Sequence, residues 1–254
     1  MRIPAALVLA LLAAGCGPGD STPPAVPGPN PADSSLPPAE HLRRAQDFLS
    51  GDRLAEAAAE YRAVLSRDPK NVPALEGLSR ISARMNDATS SLAFISRAAE
   101  LSPEDGSIVN QLGVALVSNG RKRDAARTFE RAMTLRPRDP LVLLNAAQNQ
   151  ADLGDWAQAR KHAENAAALI PEDATPWLLL GRFQMRQDKY ADAVAPLREA
   201  ARRAPDQALV QYYLGKALVS AGRRPEAEEP LRAALRGNPP ADIRQEVEAL
   251  LAGK

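Results

Sequence analysis

The sequence predicts an all-α protein in which one pair of helices is repeated six times. Aromatic residues make up only 4% of the 254 residues, so a β-sandwich or barrel, which depends on aromatic and β-branched strands, is unexpected. Alanine and leucine, which favour helix, are abundant instead. The strongest observation is a set of prolines spaced 34 residues apart: Pro69, Pro103, Pro137, Pro171, Pro205 and Pro239.

Small residues recur at fixed points of this period and predict where the two helices of a repeat approach each other. In the first helix they are Gly113, Gly181 and Gly215, and in the second helix Ala125, Ala159, Ala193 and Ala227. A glycine also follows the first helix at Gly120, Gly154 and Gly222, where we expect a positive φ that costs glycine little. Each repeat proline is expected to stop the second helix, because proline cannot donate to a further turn.

This 34-residue pattern resembles the tetratricopeptide repeat (TPR). The resemblance implies a right-handed superhelical solenoid, since one helix pair cannot bury its apolar face without neighbours. The six implied repeats span residues 38–71, 72–105, 106–139, 140–173, 174–207 and 208–241. The first repeat is expected to carry about one extra residue in its turn.

Residues 242–254 are predicted to form a capping helix and tail. Asp242 and Gln245 have the spacing of an N-cap and the third helical residue, and an apolar stripe follows them, formed by Ile243, Val247, Leu250 and Leu251. Two interior prolines, Pro196 and Pro230, fall within the second helices of repeats five and six, where we expect a local bend and no break.

Residues 1–15 have the layout of a secretory signal peptide: Arg2, then an apolar run that is too short to span a bilayer. The last three residues of this segment and the residue that follows it, Ala13-Ala14-Gly15-Cys16, resemble a bacterial lipobox. That resemblance implies cleavage before Cys16 and lipidation of its thiol, with palmitate or a similar acyl chain on the new amine. Because no aspartate follows Cys16, outer-membrane localisation facing the periplasm is favoured over inner-membrane retention. The alternative is an ordinary secretory signal with an incidental cysteine.

Residues 16–37 are predicted to be a disordered tether that carries the lipidated cysteine. The stretch 17–37 holds seven of the 22 prolines and almost no apolar residues, so it cannot bury enough surface to offset its ordering entropy. At about 3.1 Å per residue it reaches at most roughly 65 Å. A spacer is the main interpretation, and a proline-rich ligand for another protein is the alternative.

The TPR resemblance also implies a binding groove, because first-helix residues at repeat positions 2, 5, 6, 9, 12 and 13 line the concave face of such arrays. The candidate partner-binding residues are Arg80, Arg84, Asn110, Asn145, Gln148, Leu178, Arg182, Arg186, Tyr212 and Lys216. Arg43 is the sixth basic residue of this face, and the six, set against Glu76 and Asp152, leave about four net positive charges. Arginines beside amides suit a protein or peptide partner with acidic character or a free C-terminal carboxylate. The alternative is that these arginines form only a solvated face.

The remaining composition argues against enzymes and nucleic-acid binders. The only histidines are His41 and His162, and no phosphate-binding loop, nucleophile elbow or HExxH motif is present, so no catalytic, cofactor or metal site is predicted. Lys and Arg number 32 against 31 Asp and Glu, which provides no net attraction to nucleic acid.

A lipobox, a short tether and six repeats together resemble the architecture of the type IV pilus secretin-assembly lipoproteins (pilotins). This resemblance implies a membrane-anchored scaffold that assists envelope assembly. Two alternatives remain open: a periplasmic adaptor that docks proteases or cell-wall hydrolases, and a soluble TPR scaffold without an anchor.

Overall fold

Thirteen α-helices and no strands form the regular structure of residues 36–253, the part of the chain that this computed structural model describes. The all-α prediction is therefore confirmed for that part, whereas the signal peptide, Cys16 and the tether up to residue 35 lie outside it. The helices are α1 (Pro38–Ser50), α2 (Leu54–Arg67), α3 (Val72–Arg84), α4 (Ala88–Leu101), α5 (Gly106–Ser118), α6 (Lys122–Leu135), α7 (Pro140–Leu153), α8 (Trp156–Leu169), α9 (Thr175–Met185), α10 (Tyr190–Arg203), α11 (Ala208–Ser220), α12 (Arg224–Arg236) and α13 (Ala241–Ala252).

The described chain divides into two compact units on either side of Pro137. The amino-terminal unit contains α1–α6, which form three helix pairs, and the carboxyl-terminal unit contains α7–α13, three pairs followed by a single helix. Across residues 36–253, no helix has the length and apolar content needed to cross a membrane.

The turn inside every helix pair contains one residue in the left-handed region at repeat position 15. The six residues and their φ angles are Asp52 (60°), Asn86 (59°), Gly120 (74°), Gly154 (86°), Asp188 (58°) and Gly222 (76°). The positive φ predicted for the three glycines is confirmed. Because Asp52 holds the same position in the first pair as Gly120 in the third, the expected extra residue in the first turn is wrong: the left-handed residue falls at the same repeat position in all six turns.

Within a pair, the two helices approach so closely that a glycine is required at position 8 of several first helices. A Cβ on Gly113 would lie 2.5 Å from the ring of Phe129, and one on Gly215 would lie 2.5 Å from Leu231. Repeat two has Ser79 at this position, whose hydroxyl donates to the carbonyl oxygen of Ser91 at 2.9 Å. The small residues at this position therefore lie where the two helices of a pair contact each other, as predicted.

The second helices end two or three residues before each repeat proline, as predicted, and the interior prolines interrupt neither α10 nor α12. The last helix covers the sixth pair. Its Val247 is fully buried in the core of the carboxyl-terminal unit, and the partly buried Ile243, Leu250 and Leu251 pack against that core, which confirms the apolar stripe.

The predicted start of this last helix is wrong. Asp242 does not cap α13; it lies in the first turn, and Pro240 occupies the N-cap position without a side-chain capping bond. The reason is local: a residue that precedes proline is disfavoured in helix, so Pro239 stays outside, while Pro240 has the extended ψ from which a helix begins directly.

Candidate functional site

The candidate site consists of the side chains at repeat positions 5, 9 and 13 of the first helix of each pair. These positions are four residues apart, so they lie on one side of the helix, each about one turn from the next. In the amino-terminal unit they belong to α1, α3 and α5, and in the carboxyl-terminal unit to α7, α9 and α11. We call these surfaces the first-helix faces and describe one for each unit. Successive first helices contact each other between α1 and α3 and between α7 and α9.

On the carboxyl-terminal face, Asp152 accepts two hydrogen bonds. Arg186 Nη1 donates to its Oδ1 at 2.7 Å, and Gln148 Nε2 donates to the same oxygen at 3.0 Å. The guanidinium of Arg186 also lies 5.0 Å from the ring centroid of Trp156. Asp152 thus neutralises Arg186 and fixes the orientation of the Gln148 amide, whose carbonyl oxygen is turned away from the carboxylate.

Arg182, one turn before Arg186 on α9, has no such partner. Its guanidinium lies 5.1 Å from the ring centroid of Tyr213, and no carboxylate among residues 36–253 lies within ion-pair distance of it. The buried Nη1 of Arg182 and the buried Oε1 of Gln148 both lack a hydrogen-bond partner. Gln148 is only 7% exposed. A donor and an acceptor are therefore left unused on one face.

Lys216, the next cation on this face, is neutralised by the capping helix. Lys216 Nζ donates to Glu246 Oε1 at 2.7 Å, and the hydroxyl of Tyr212 donates to Glu246 Oε2 at 2.6 Å. Burial alone raises the pKa of Glu246, but the hydrogen bonds from Lys216 and Tyr212 and the charge of Lys216 outweigh it and hold that pKa below its ordinary value. Burial, followed by the hydrogen bond to Glu246, raises the pKa of Tyr212.

The amino-terminal face repeats part of this arrangement. Arg84 forms an ion pair with Asp52, which belongs to the turn of the preceding pair. Gln111 Nε2 donates to Glu76 Oε1 at 2.7 Å. Arg80 is exposed and makes no hydrogen bond or ion pair with any described residue. Each first-helix face therefore has one arginine at position 9 that forms no ion pair with a described residue.

The ten candidate groove residues differ in their accessibility. Half of them are less than 9% exposed: Asn110, Asn145, Gln148, Leu178 and Tyr212. The structure brings Gln148, Arg182 and Arg186 to one face, and Arg80 and Arg84 to the other. The count of four net positive charges missed Asp52 and Glu246, which compensate two of the cations. Glu246 could have been found by continuing the 34-residue register into α13, where it holds position 5.

The two histidines lie in different units. His41 is buried, and its Nδ1 lies 2.5 Å from Glu60 Oε2, a pair that joins α1 to α2, whereas His162 belongs to α8. No group of three His, Cys, Asp or Glu side chains within residues 36–253 could hold a metal ion.

Solved structures with the same fold include two pilus proteins. The structure of PilW, described as a widely conserved type IV pilus biogenesis factor, is 21% identical with a TM-score of 0.75, covering 83% of this chain and 98% of that one. PilF of Pseudomonas aeruginosa is 17% identical with a TM-score of 0.68, covering 84% of this chain and 96% of that one. The predicted similarity to type IV pilus proteins is thus confirmed at the level of the fold.

A curated relative matches only one part of the chain. The cellulose synthase operon protein C of Komagataeibacter sucrofermentans is 34% identical over 110 residues, which are 41% of this chain. The chain spans about 8% of the length of this curated relative. The tetratricopeptide repeat family matches residues 42–106, 110–174, 144–208 and 178–242, nearly the whole described region. The repeat period, the helix pairs and this match together show that the chain belongs to the tetratricopeptide repeat family.

Proposed function

We propose that this TPR protein is a membrane-anchored scaffold whose first-helix faces bind an acidic segment of a partner protein. That TPR proteins are protein–protein interaction scaffolds follows from the family. The finer proposal rests on one observation: Arg182 and Gln148, on the same face, hold a buried donor and a buried acceptor that no described residue satisfies.

Arginine donates through a planar fork that matches a carboxylate, and the amide oxygen of Gln148 can accept an N–H from a peptide backbone. A bound segment toward which the two side chains turn would thus satisfy both groups, whose burial without partners costs free energy in the absence of a ligand. The exposed Arg80 supports the same chemistry in the other unit. Apolar side chains of the partner would pack beside the hydrophobic residues that surround these groups.

Charge reversal at Arg182 tests this proposal, with a matched variant in the same unit as control. We expect Arg182→Glu to weaken partner capture strongly and Arg80→Glu plus Arg182→Glu to weaken it further. Arg160→Glu, which makes the same charge change on the exposed surface of α8, should retain the partner. Circular dichroism must show all variants folded. Equal capture by Arg182→Glu and the Arg160 control would place binding elsewhere on the molecule.

The anchor is proposed from the lipobox-like residues before Cys16. Several acyl chains would hold the protein on a membrane stably, because each buried methylene contributes roughly 0.8 kcal/mol. We expect Cys16→Ser to release the protein from the membrane fraction, as measured by fractionation and mass spectrometry of the amino terminus. A Cys16→Ser protein that still sediments with membranes would contradict the lipid anchor.

The pathway is proposed to be envelope assembly, of the kind served by type IV pilus and secretin biogenesis. The support is the likeness in fold to PilW and PilF together with the lipobox-like leader. Affinity capture of the protein from its own membranes after cross-linking, followed by mass spectrometry, tests this. Secretin or pilus subunits would support the proposal. Recovery of proteases or cell-wall hydrolases would instead identify a periplasmic adaptor. Recovery of neither these enzymes nor pilus components would contradict both the envelope-assembly and the adaptor interpretation.

A further inference from the structure

Four of the six residues on the first-helix face of repeats one and two recur three repeats later, in repeats four and five; the exceptions are Ser50, which corresponds to Asp152, and Glu76, which corresponds to Leu178. Three pairs are identical in type and separated by three repeat lengths: Gln46 and Gln148, Arg80 and Arg182, Arg84 and Arg186. Leu42 and Leu144 at position 5 also match. Charged second-helix residues follow no such rule, since Arg62 corresponds to Glu164 and Arg97 to Glu199. The recurrence is therefore concentrated on the faces described above.

The two arginines of each face have similar surroundings in both units, although Glu76 lies one turn before Arg80 and the apolar Leu178 one turn before Arg182. The arginine at position 13 is neutralised by an acid from the preceding repeat, Asp52 for Arg84 and Asp152 for Arg186. The arginine at position 9 has no carboxylate partner among the described residues in either unit. Each face thus holds one paired arginine and, one turn before it, one arginine that forms no ion pair with a described residue.

Repeats three and six lack this arrangement. Position 9 is Val114 in repeat three, which offers no charge, and Lys216 in repeat six, which Glu246 already neutralises at 2.7 Å. An arginine at position 9 that forms no ion pair with a described residue, preceded by a glutamine at position 9 of the repeat before it, therefore occurs once in each unit. The other repeats do not contain it.

We propose that each unit has its own carboxylate-binding site, so that one chain binds two acidic peptide segments. Arg182 with Gln148 forms one site, and Arg80 with Gln46 forms the other. The ligand of each is an extended peptide with an aspartate or glutamate side chain: the guanidinium donates to the carboxylate, and the glutamine oxygen accepts a backbone N–H. This proposal rests on the proposed function, to which it adds the number of sites and their composition.

The test is the binding stoichiometry of one short peptide on the full chain in detergent. The probe is the heptapeptide Ala-Leu-Asp-Leu-Asp-Leu-Ala, acetylated and amidated, and its control carries asparagine in place of both aspartates. Side-chain Nε–Hε resonances of arginine, assigned with the variants below, report each site separately. We expect two peptides to bind per chain and to shift the side-chain resonances of both Arg80 and Arg182. The asparagine peptide is expected to bind at least roughly tenfold more weakly.

Single substitutions should remove one site each. Arg80→Gln and Arg182→Gln are each expected to reduce the stoichiometry to one, the double variant to zero, and Arg160→Gln to leave it at two. One peptide per chain, lost entirely in a single variant, would overturn the duplication and leave the proposed function intact. Binding that neither variant changes, or no binding at all to the wild-type chain, would overturn both.

Discussion

The hydroxyl of Tyr212 on α11 donates to the carboxylate of Glu246 on α13 at 2.6 Å, and Lys216 donates to the other oxygen of that carboxylate. Three side chains thereby attach the capping helix to the first helix of the sixth pair. Tyr212 is 5% exposed, so its hydroxyl has little access to water as a substitute partner. Glu246 therefore joins the end of the array through polar contacts that supplement the apolar stripe of α13.

Replacing Glu246 by alanine is expected to destabilise the carboxyl-terminal unit by about 1–2 kcal/mol, because the Tyr212 hydroxyl and the Lys216 ammonium lose their shared acceptor. Urea unfolding followed by circular dichroism measures the change. Glu248→Ala is the control, since Glu248 is exposed on the same helix. Equal unfolding midpoints for the two variants would contradict a role for the Tyr212–Glu246 contact.

The same contact predicts a dependence on pH. The pKa of Glu246 in the folded chain is lowered from its ordinary value near 4.5, so its ionisation stabilises the fold at neutral pH. This contribution is fully present above the unfolded pKa and is lost as the pH falls through the lower, folded pKa. We expect wild type to be more stable than Glu246→Gln at about pH 7 and the difference to shrink below about pH 4.5. A difference that stays constant down to about pH 3 would contradict this assignment.

The sequence predicts the fold well because the constraints on a TPR act within one repeat. Gly113 faces Phe129 of its own pair, and Gly120 adopts a positive φ in its own turn, so both signals recur with the 34-residue period. The start of α13 lies beyond the last complete repeat. There the local conformation of Pro240 decided the boundary, and the capping pattern at Asp242 was misleading.

The candidate site is less predictable because its chemistry depends on contacts between repeats. Position alone places Arg84, Arg182 and Arg186 on the first-helix faces. Only the three-dimensional structure shows that Asp52 and Asp152 neutralise two of these arginines and leave Arg182 unpaired. The pairing acids stand at different repeat positions, one in a turn and one in a helix, so the period does not reveal them.

Close approach within a pair predicts a large effect of one added methyl group. In Gly113→Ala the new Cβ would lie 2.5 Å from Phe129, which is 1% exposed and enclosed by the core. We expect a loss of about 1–2 kcal/mol, since overpacking exceeds the gain in helix propensity. Gly51→Ala is the control: its Cβ would meet atoms no closer than 3.7 Å and its φ of −87° suits alanine, so the variant should be as stable as wild type or more stable by up to about 1 kcal/mol. Equal unfolding midpoints for the two variants would refute the close contact.

Backbone conformation alone predicts an order of stability at repeat position 15. Gly120 has φ of 74°, and an added Cβ would meet nothing within 4 Å, so any cost of substitution comes from the left-handed backbone. We expect Gly120→Ala to lose about 1 kcal/mol. Gly120→Asn should lose less, because asparagine tolerates this region and Asn86 holds the equivalent position in repeat two with φ of 59°. Thermal unfolding of the three proteins measures the order, and an alanine variant as stable as wild type would show that the turn does not require a left-handed residue.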